Sequence, residues 1–131
     1  MQLPLTIRGK VIHGEQVGRT IGFPTANIDV ALDETTIDAG VYVGTCTVAE
    51  KRYACLPYFG PRLIFGETKN VFEVYIFDFD KDIYNKEIEI TLLQFQRGPI
   101  QVNSLEELKT LLESDKENGQ TFFQDYSEET S

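Results

Sequence analysis

The sequence predicts a single, mainly antiparallel β-domain with one helix near its C-terminus. Residues that favour strands recur in short alternating runs separated by turn signals, which is the pattern of antiparallel pairing and not of βαβ repeats. Only the segment from Ser104 onward keeps a helical period over several turns. A chain of 131 residues can build one compact core and is too short for two domains of ordinary size.

Taken in order, Thr6 to Ile12 reads as the first strand, followed by a loop from His13 to Phe23. Thr25 to Val30 reads as the second, and the polar, acidic stretch 31–39 separates it from the next. Gly40 to Val48 and Arg52 to Tyr58 form the most local pairing, a hairpin closed by Ala49 to Arg52. After a long loop, Phe59 to Asn70, the run VFEVYIFDF puts Phe72, Val74 and Ile76 on one face. Glu73, Tyr75 and Phe77 fall on the other, so a carboxylate is set into an aromatic face. Lys86 to Phe95 is expected to be the hairpin partner of that strand, turning through residues 80–85, with Ile88, Ile90 and Leu92 inward.

Ser104 and Glu107 have the spacing of a capping box, and Leu105, Leu108, Leu111 and Leu112 form an apolar stripe expected to pack on the sheet. The helix is expected to run to about Asn118, with Gly119 as its stop. The remainder, 124–131, reads as an acidic, frayed tail beyond a domain spanning 1–123.

The apolar fraction of 41% fits a folded globule. A net charge of -9 disfavours nonspecific binding to nucleic acid or to an anionic membrane, since both bind through clustered Lys and Arg. No run reaches membrane-spanning length and the N-terminus lacks the apolar core of a signal peptide, so a cytoplasmic protein is expected. Cys46 and Cys55 are too few for a zinc site; they are expected to face each other across the hairpin as reduced thiols. His13 is the sole histidine, and no GxSxG setting exists for a serine nucleophile.

The most informative segment is GRTIGFPTANI, residues 18–28. Gly18 and Gly22 let backbone approach a bulky anion, and Arg19 can neutralise it. Pro24 stiffens the exit from the turn and biases Phe23 toward extended backbone, so Thr25 and Asn27 begin a strand on one face. A hydroxyl and an amide carbonyl presented together suit Mg2+ and phosphate. The same composition also fits a Gly/Pro loop whose Thr and Asn cap their own backbone. A GxxxxGK[ST] loop is absent, which excludes a P-loop enzyme.

In sequence order, GKVIHGEQVGRTIGFPTANI, GVYVG, FEVYIFDF followed by DIYNKEIEI, Arg97, and SLEELKTLLESD resemble the riboflavin kinase domain of bacteria and eukaryotes. The resemblance covers roughly residues 7–123. It implies a six-stranded antiparallel Greek-key β-barrel with a C-terminal α-helix. It also implies transfer of the ATP γ-phosphoryl group to the ribityl 5′-hydroxyl of riboflavin, giving FMN, by a monomer with Mg2+ as cofactor. Carried over by position, Gly9, Lys10, Val11, His13, Gly14, Gly18 and Arg19 belong to a loop over the nucleotide phosphates. By the same carry-over Gly22, Pro24 and Thr25 would complete that set, Thr25 and Asn27 would be the metal ligands, Glu73 the catalytic base, and Tyr84 and Arg97 substrate contacts; on the residues alone, Glu73 also reads as an exposed strand carboxylate paired with a neighbouring Lys or Arg.

The chain departs from the pattern on the acceptor side. In YFGPRLIF, Gly60 and Phe65 remain, while Tyr58, Leu63 and Ile64 replace polar or turn-forming types. Asn85 follows Tyr84 where a glycine is usual, and Pro99 and Val102 stand where an acidic residue and a phenylalanine are expected. These changes leave two further readings open: a noncatalytic flavin- or nucleotide-binding module, and a kinase for another small alcohol.

Overall fold

A computed structural model describes residues 1–12 and 22–126. Among the described residues, six strands, β1 (Leu5–Ile12), β2 (Ala26–Asp29), β3 (Gly40–Val48), β4 (Lys51–Pro61), β5 (Asn70–Ile76) and β6 (Glu87–Arg97), precede one α-helix, α1 (Leu105–Asp125), with a short 3-10 turn, Leu63–Phe65, between β4 and β5. They close into a barrel in the order β1-β2-β5-β4-β3-β6, every neighbouring pair antiparallel. This is the expected six-stranded antiparallel barrel with its C-terminal helix.

Alternation builds the interior. Ile7, Val11, Tyr42, Cys46, Phe59, Phe72, Val74, Ile88, Ile90 and Leu92 point inward and fill it, so the barrel is a packed core and not a channel. A second apolar cluster lies outside, where Val43, Leu56 and Phe77 meet Phe122 and Phe123 of α1. The helix therefore packs on the outer wall formed by β3 and β4.

Three expectations are corrected. Strands β5 and β6 are not a hairpin: β5 lies between β2 and β4, and β6 between β1 and β3. The chain leaves β5 through Asp78 at φ 53°, and the following turn clasps β1 instead, with Asn85 N–H donating to Val11 O (2.8 Å) and Val11 N–H to Lys86 O (2.9 Å). Cys46 pairs with Tyr53 and Cys55 with Gly44, so the thiols are two positions out of register, both free and buried.

The third correction is α1, which passes Gly119 and ends at Asp125. Gly119 is buried against the barrel: a Cβ there would stand 2.9 Å from Leu56 Cδ2 and 3.2 Å from Phe77 Cζ. It permits close approach and does not stop the helix. The start is as expected, with Glu107 N–H donating to Ser104 Oγ (3.1 Å), although the return bond goes from Asn103 N–H to Glu107 Oε2.

Candidate active site

Antiparallel register brings the chemistry together. Asn27 on β2 lies directly opposite Glu73 on β5, and Glu73 lies opposite Tyr58 on β4. Residues directly opposite share a face, so amide, carboxylate and phenol form one row across the outer wall of the barrel. Thr25 stands two residues before Asn27, immediately ahead of β2. Burial pushes the Tyr58 hydroxyl up to about 12, helped by the Glu73 charge and opposed by Arg97. Tyr58 is therefore a neutral donor, and its hydroxyl bonds Pro61 O at 2.6 Å.

A residue that sequence reasoning passed over ties this row together. Arg62 follows β4, with its side chain only 14% exposed. Its Nη2 donates to Asn27 Oδ1 (2.8 Å) and to Glu73 Oε1 (3.1 Å), and its Nε reaches the same Oε1 at 3.3 Å. Glu67 adds a longer ion pair at 3.7 Å. One guanidinium thus joins the expected metal ligand to the expected base.

Two cavities meet at Thr25. The first is largely apolar, bounded by Phe23, Leu56, Tyr75, Leu63, Ile64 and Ile100, with Glu73 and Arg62 among its few polar lining groups. Phe23 and Tyr75 pack with ring centroids 5.6 Å apart. Leu108, Leu111 and Leu112 close it from the helix side. The leucine stripe is thus a cavity wall rather than sheet packing, and Leu105 is exposed. The second cavity holds Asn27, Pro24, Val11, Asp80, Lys81 and Tyr84. Glu73 borders only the first and Asn27 only the second; Thr25 borders both.

Arg97 also lines the first cavity, but its guanidinium is engaged by the protein itself. Nε and Nη2 bond the two oxygens of Asp115 at 2.7 and 2.6 Å, and Nη1 donates to Gly98 O at 2.9 Å. Asp115 is buried, so this forked pair pins α1 to the end of β6. Tyr84 is half exposed on the rim of the other cavity, away from Arg97.

The nucleotide-loop residues divide. Gly9, Lys10 and Val11 are strand, not loop: Gly9 pairs with Ile88, and a Cβ on it would strike Ile28 Cγ2 at 2.5 Å. That glycine lets β1 and β2 approach. Gly22 takes φ 87°, and Pro24 and Thr25 border the second cavity. His13, Gly14, Gly18 and Arg19 lie outside the described residues.

Thr25 and Asn27 offer hard oxygen donors of the type Mg2+ takes. No cluster of three or more His, Cys, Asp or Glu side chains exists among the described residues to complete a protein cage. Two neutral oxygen donors of this kind fit a metal that keeps most of its waters.

The family model for riboflavin kinase matches residues 1–123. The chain belongs to the riboflavin kinase family. Among curated relatives, a bifunctional riboflavin kinase/FMN adenylyltransferase of Listeria monocytogenes is 40% identical over 121 residues, covering 92% of this chain and 38% of the relative. The chain thus spans about two fifths of that protein's length. A solved riboflavin kinase of Trypanosoma brucei superposes with TM-score 0.63 at 26% identity, over 93% of this chain and 81% of that one. A crystal structure described as a macrolide-efflux protein of Streptococcus pneumoniae superposes with TM-score 0.77 at 35% identity, over 95% of this chain and 40% of that one. No described helix of this family member is long and apolar enough to cross a membrane.

The signal for Arg62 was a lone cation after Gly60-Pro61 at a strand end. Nothing in the linear order tied it to Asn27, 35 positions earlier.

Proposed function

We propose that the chain transfers the γ-phosphoryl group of ATP to the 5′-hydroxyl of the ribityl chain of riboflavin, giving FMN and ADP. The observation that carries the reading is the pairing of Asn27 with Glu73 beside Thr25, where an apolar and a polar cavity meet. The flat, apolar ring system of the acceptor suits the wall of Phe23, Tyr75 and the α1 leucines. The nucleotide suits the second cavity, its phosphates toward Thr25.

Glu73 accepts the proton of the ribityl hydroxyl as the new O–P bond forms. The bond between the γ-phosphorus and the bridging oxygen breaks, and its electron pair leaves with ADP. Thr25 and Asn27 would hold Mg2+, which supplies neutralisation of phosphate charge. The register of β2 against β5 holds Asn27 opposite Glu73 and so sets the separation of metal ligand and base. The reading carries with it a cytoplasmic monomer and a domain of residues 1–123, with the last turn of α1 carrying on to Asp125.

Incubating the folded protein with riboflavin and MgATP tests this directly, with FMN resolved chromatographically. FMN formation is expected. Thermal stabilisation by riboflavin or MgADP without turnover would favour a binding module instead. The apolar Leu63, Ile64 and Ile100 at the acceptor cavity keep another small alcohol as second reading; an acceptor that clearly outcompetes riboflavin would establish it.

A further inference from the structure

Arg62 has no assigned part in the reaction, yet it touches both halves of the row that the reaction uses. We propose that Arg62 is a positioning residue for phosphoryl transfer, holding the Glu73 carboxylate and the Asn27 amide in one geometry. This role rests on the kinase reading above.

Three features lead there. Nε and Nη2 of Arg62 converge on a single oxygen, Glu73 Oε1, and among the described residues Oε2 receives no hydrogen bond. The carboxylate is thus anchored through one oxygen with the other left to take the acceptor's proton. The same Nη2 bonds Asn27 Oδ1, which orients the amide so that its carbonyl faces Arg62. A carbonyl oxygen has two lone pairs, so one remains for a metal or phosphate-bound water.

Lastly, the side chain is mostly buried and its fork is planar and rigid, so few alternative geometries compete. Leu63 and Ile64, which border the acceptor cavity, follow directly in the chain. The residue that sets the base is therefore joined to the wall that receives the acceptor.

The test compares wild type, Arg62→Met, Arg62→Lys, Glu73→Gln and the Arg62→Met/Glu73→Gln double variant. Steady-state kinetics, riboflavin binding by fluorescence and thermal melting are measured on each. Arg62→Met should lower kcat by about 10- to 100-fold while riboflavin affinity stays within about threefold. Arg62→Lys should recover part of the loss, since it restores charge but not the fork. In the Glu73→Gln background, removal of Arg62 should cost clearly less than it does in wild type, because the share of its effect that acts through Glu73 is lost once the base is gone while the share through Asn27 stays.

A kcat for Arg62→Met within threefold of wild type overturns the role, as does a double variant whose losses multiply in full. If Arg62→Met does not fold, Arg62→Lys with and without Glu73→Gln gives the same cycle. Wild type that binds riboflavin but makes no FMN removes the kinase reading and this role together. Wild type that turns over beside an equally active Arg62→Met removes this role alone.

Discussion

Glu73 lines a largely apolar cavity, anchored by Arg62 and opposite Asn27. Replacing it by glutamine keeps the shape and removes the proton acceptor. Glu73→Gln should lower kcat by about 10²-fold or more while MgADP affinity, measured by calorimetry, changes little. Asn85 gives a second prediction at this scale. It takes φ 70°, the left-handed region in which a side chain costs energy and glycine does not. Asn85→Gly should raise stability by a few tenths of a kcal/mol, up to about 1, in chemical denaturation. The legibility of single residues follows their reach. Thr25, Asn27 and Glu73 could be read because strand alternation fixes their faces and the 18–28 segment is distinctive. Arg62 could not, because its partners come from two other strands that only the folded register brings within 3 Å or so.

Among the elements, α1 depends on the forked pair between Arg97 and Asp115 more than on its leucines. The leucines border a cavity, whereas Asp115 is buried against the guanidinium. Asp115→Ala leaves that cation without its partner in a mostly buried place and should cost about 3 kcal/mol in urea denaturation. Gly119→Val should also destabilise, by roughly 1–3 kcal/mol, because its branches would enter the space of Leu56 and Phe77. Strands were legible wherever one face is apolar, since period-two alternation survives in any topology; β3 keeps its anticipated limits and β6 its inward isoleucines. The partnership of β5 with β2 and β4 was not, because sequence proximity suggested β6 and only closure of the barrel decides otherwise. Gly119 misled for a related reason: a glycine chosen for close packing looks the same in sequence as one chosen to end a helix.

For the molecule as a whole, the buried acids share one sense of pH dependence. Burial raises Tyr42, Tyr58 and Cys46 each to about 12, and Cys55 upward as well. Unfolded, these groups lose protons from about pH 9 to 10; folded, they hold them, so the native state binds more protons between the two ranges. Stability should therefore be full below about pH 8.5 and fall progressively from about pH 9 toward 12. Denaturant midpoints across that span check it, and a flat profile would contradict the burial of these side chains. The stock of titrating groups is not the site's alone, since Tyr42, Cys46 and Cys55 belong to the barrel interior.

That interior is filled, and the Asn27–Glu73 row proposed to act at the reacting centre hangs on the exterior of the closed sheet, whereas Val11 serves both the core and the second cavity. Structural integrity and reactivity consequently draw on opposite faces of the same strands. Redesign of the acceptor preference at Leu63, Ile64, Ile100 or Leu111 can proceed without disturbing the hydrophobic centre, so libraries at those positions should yield a high proportion of folded variants.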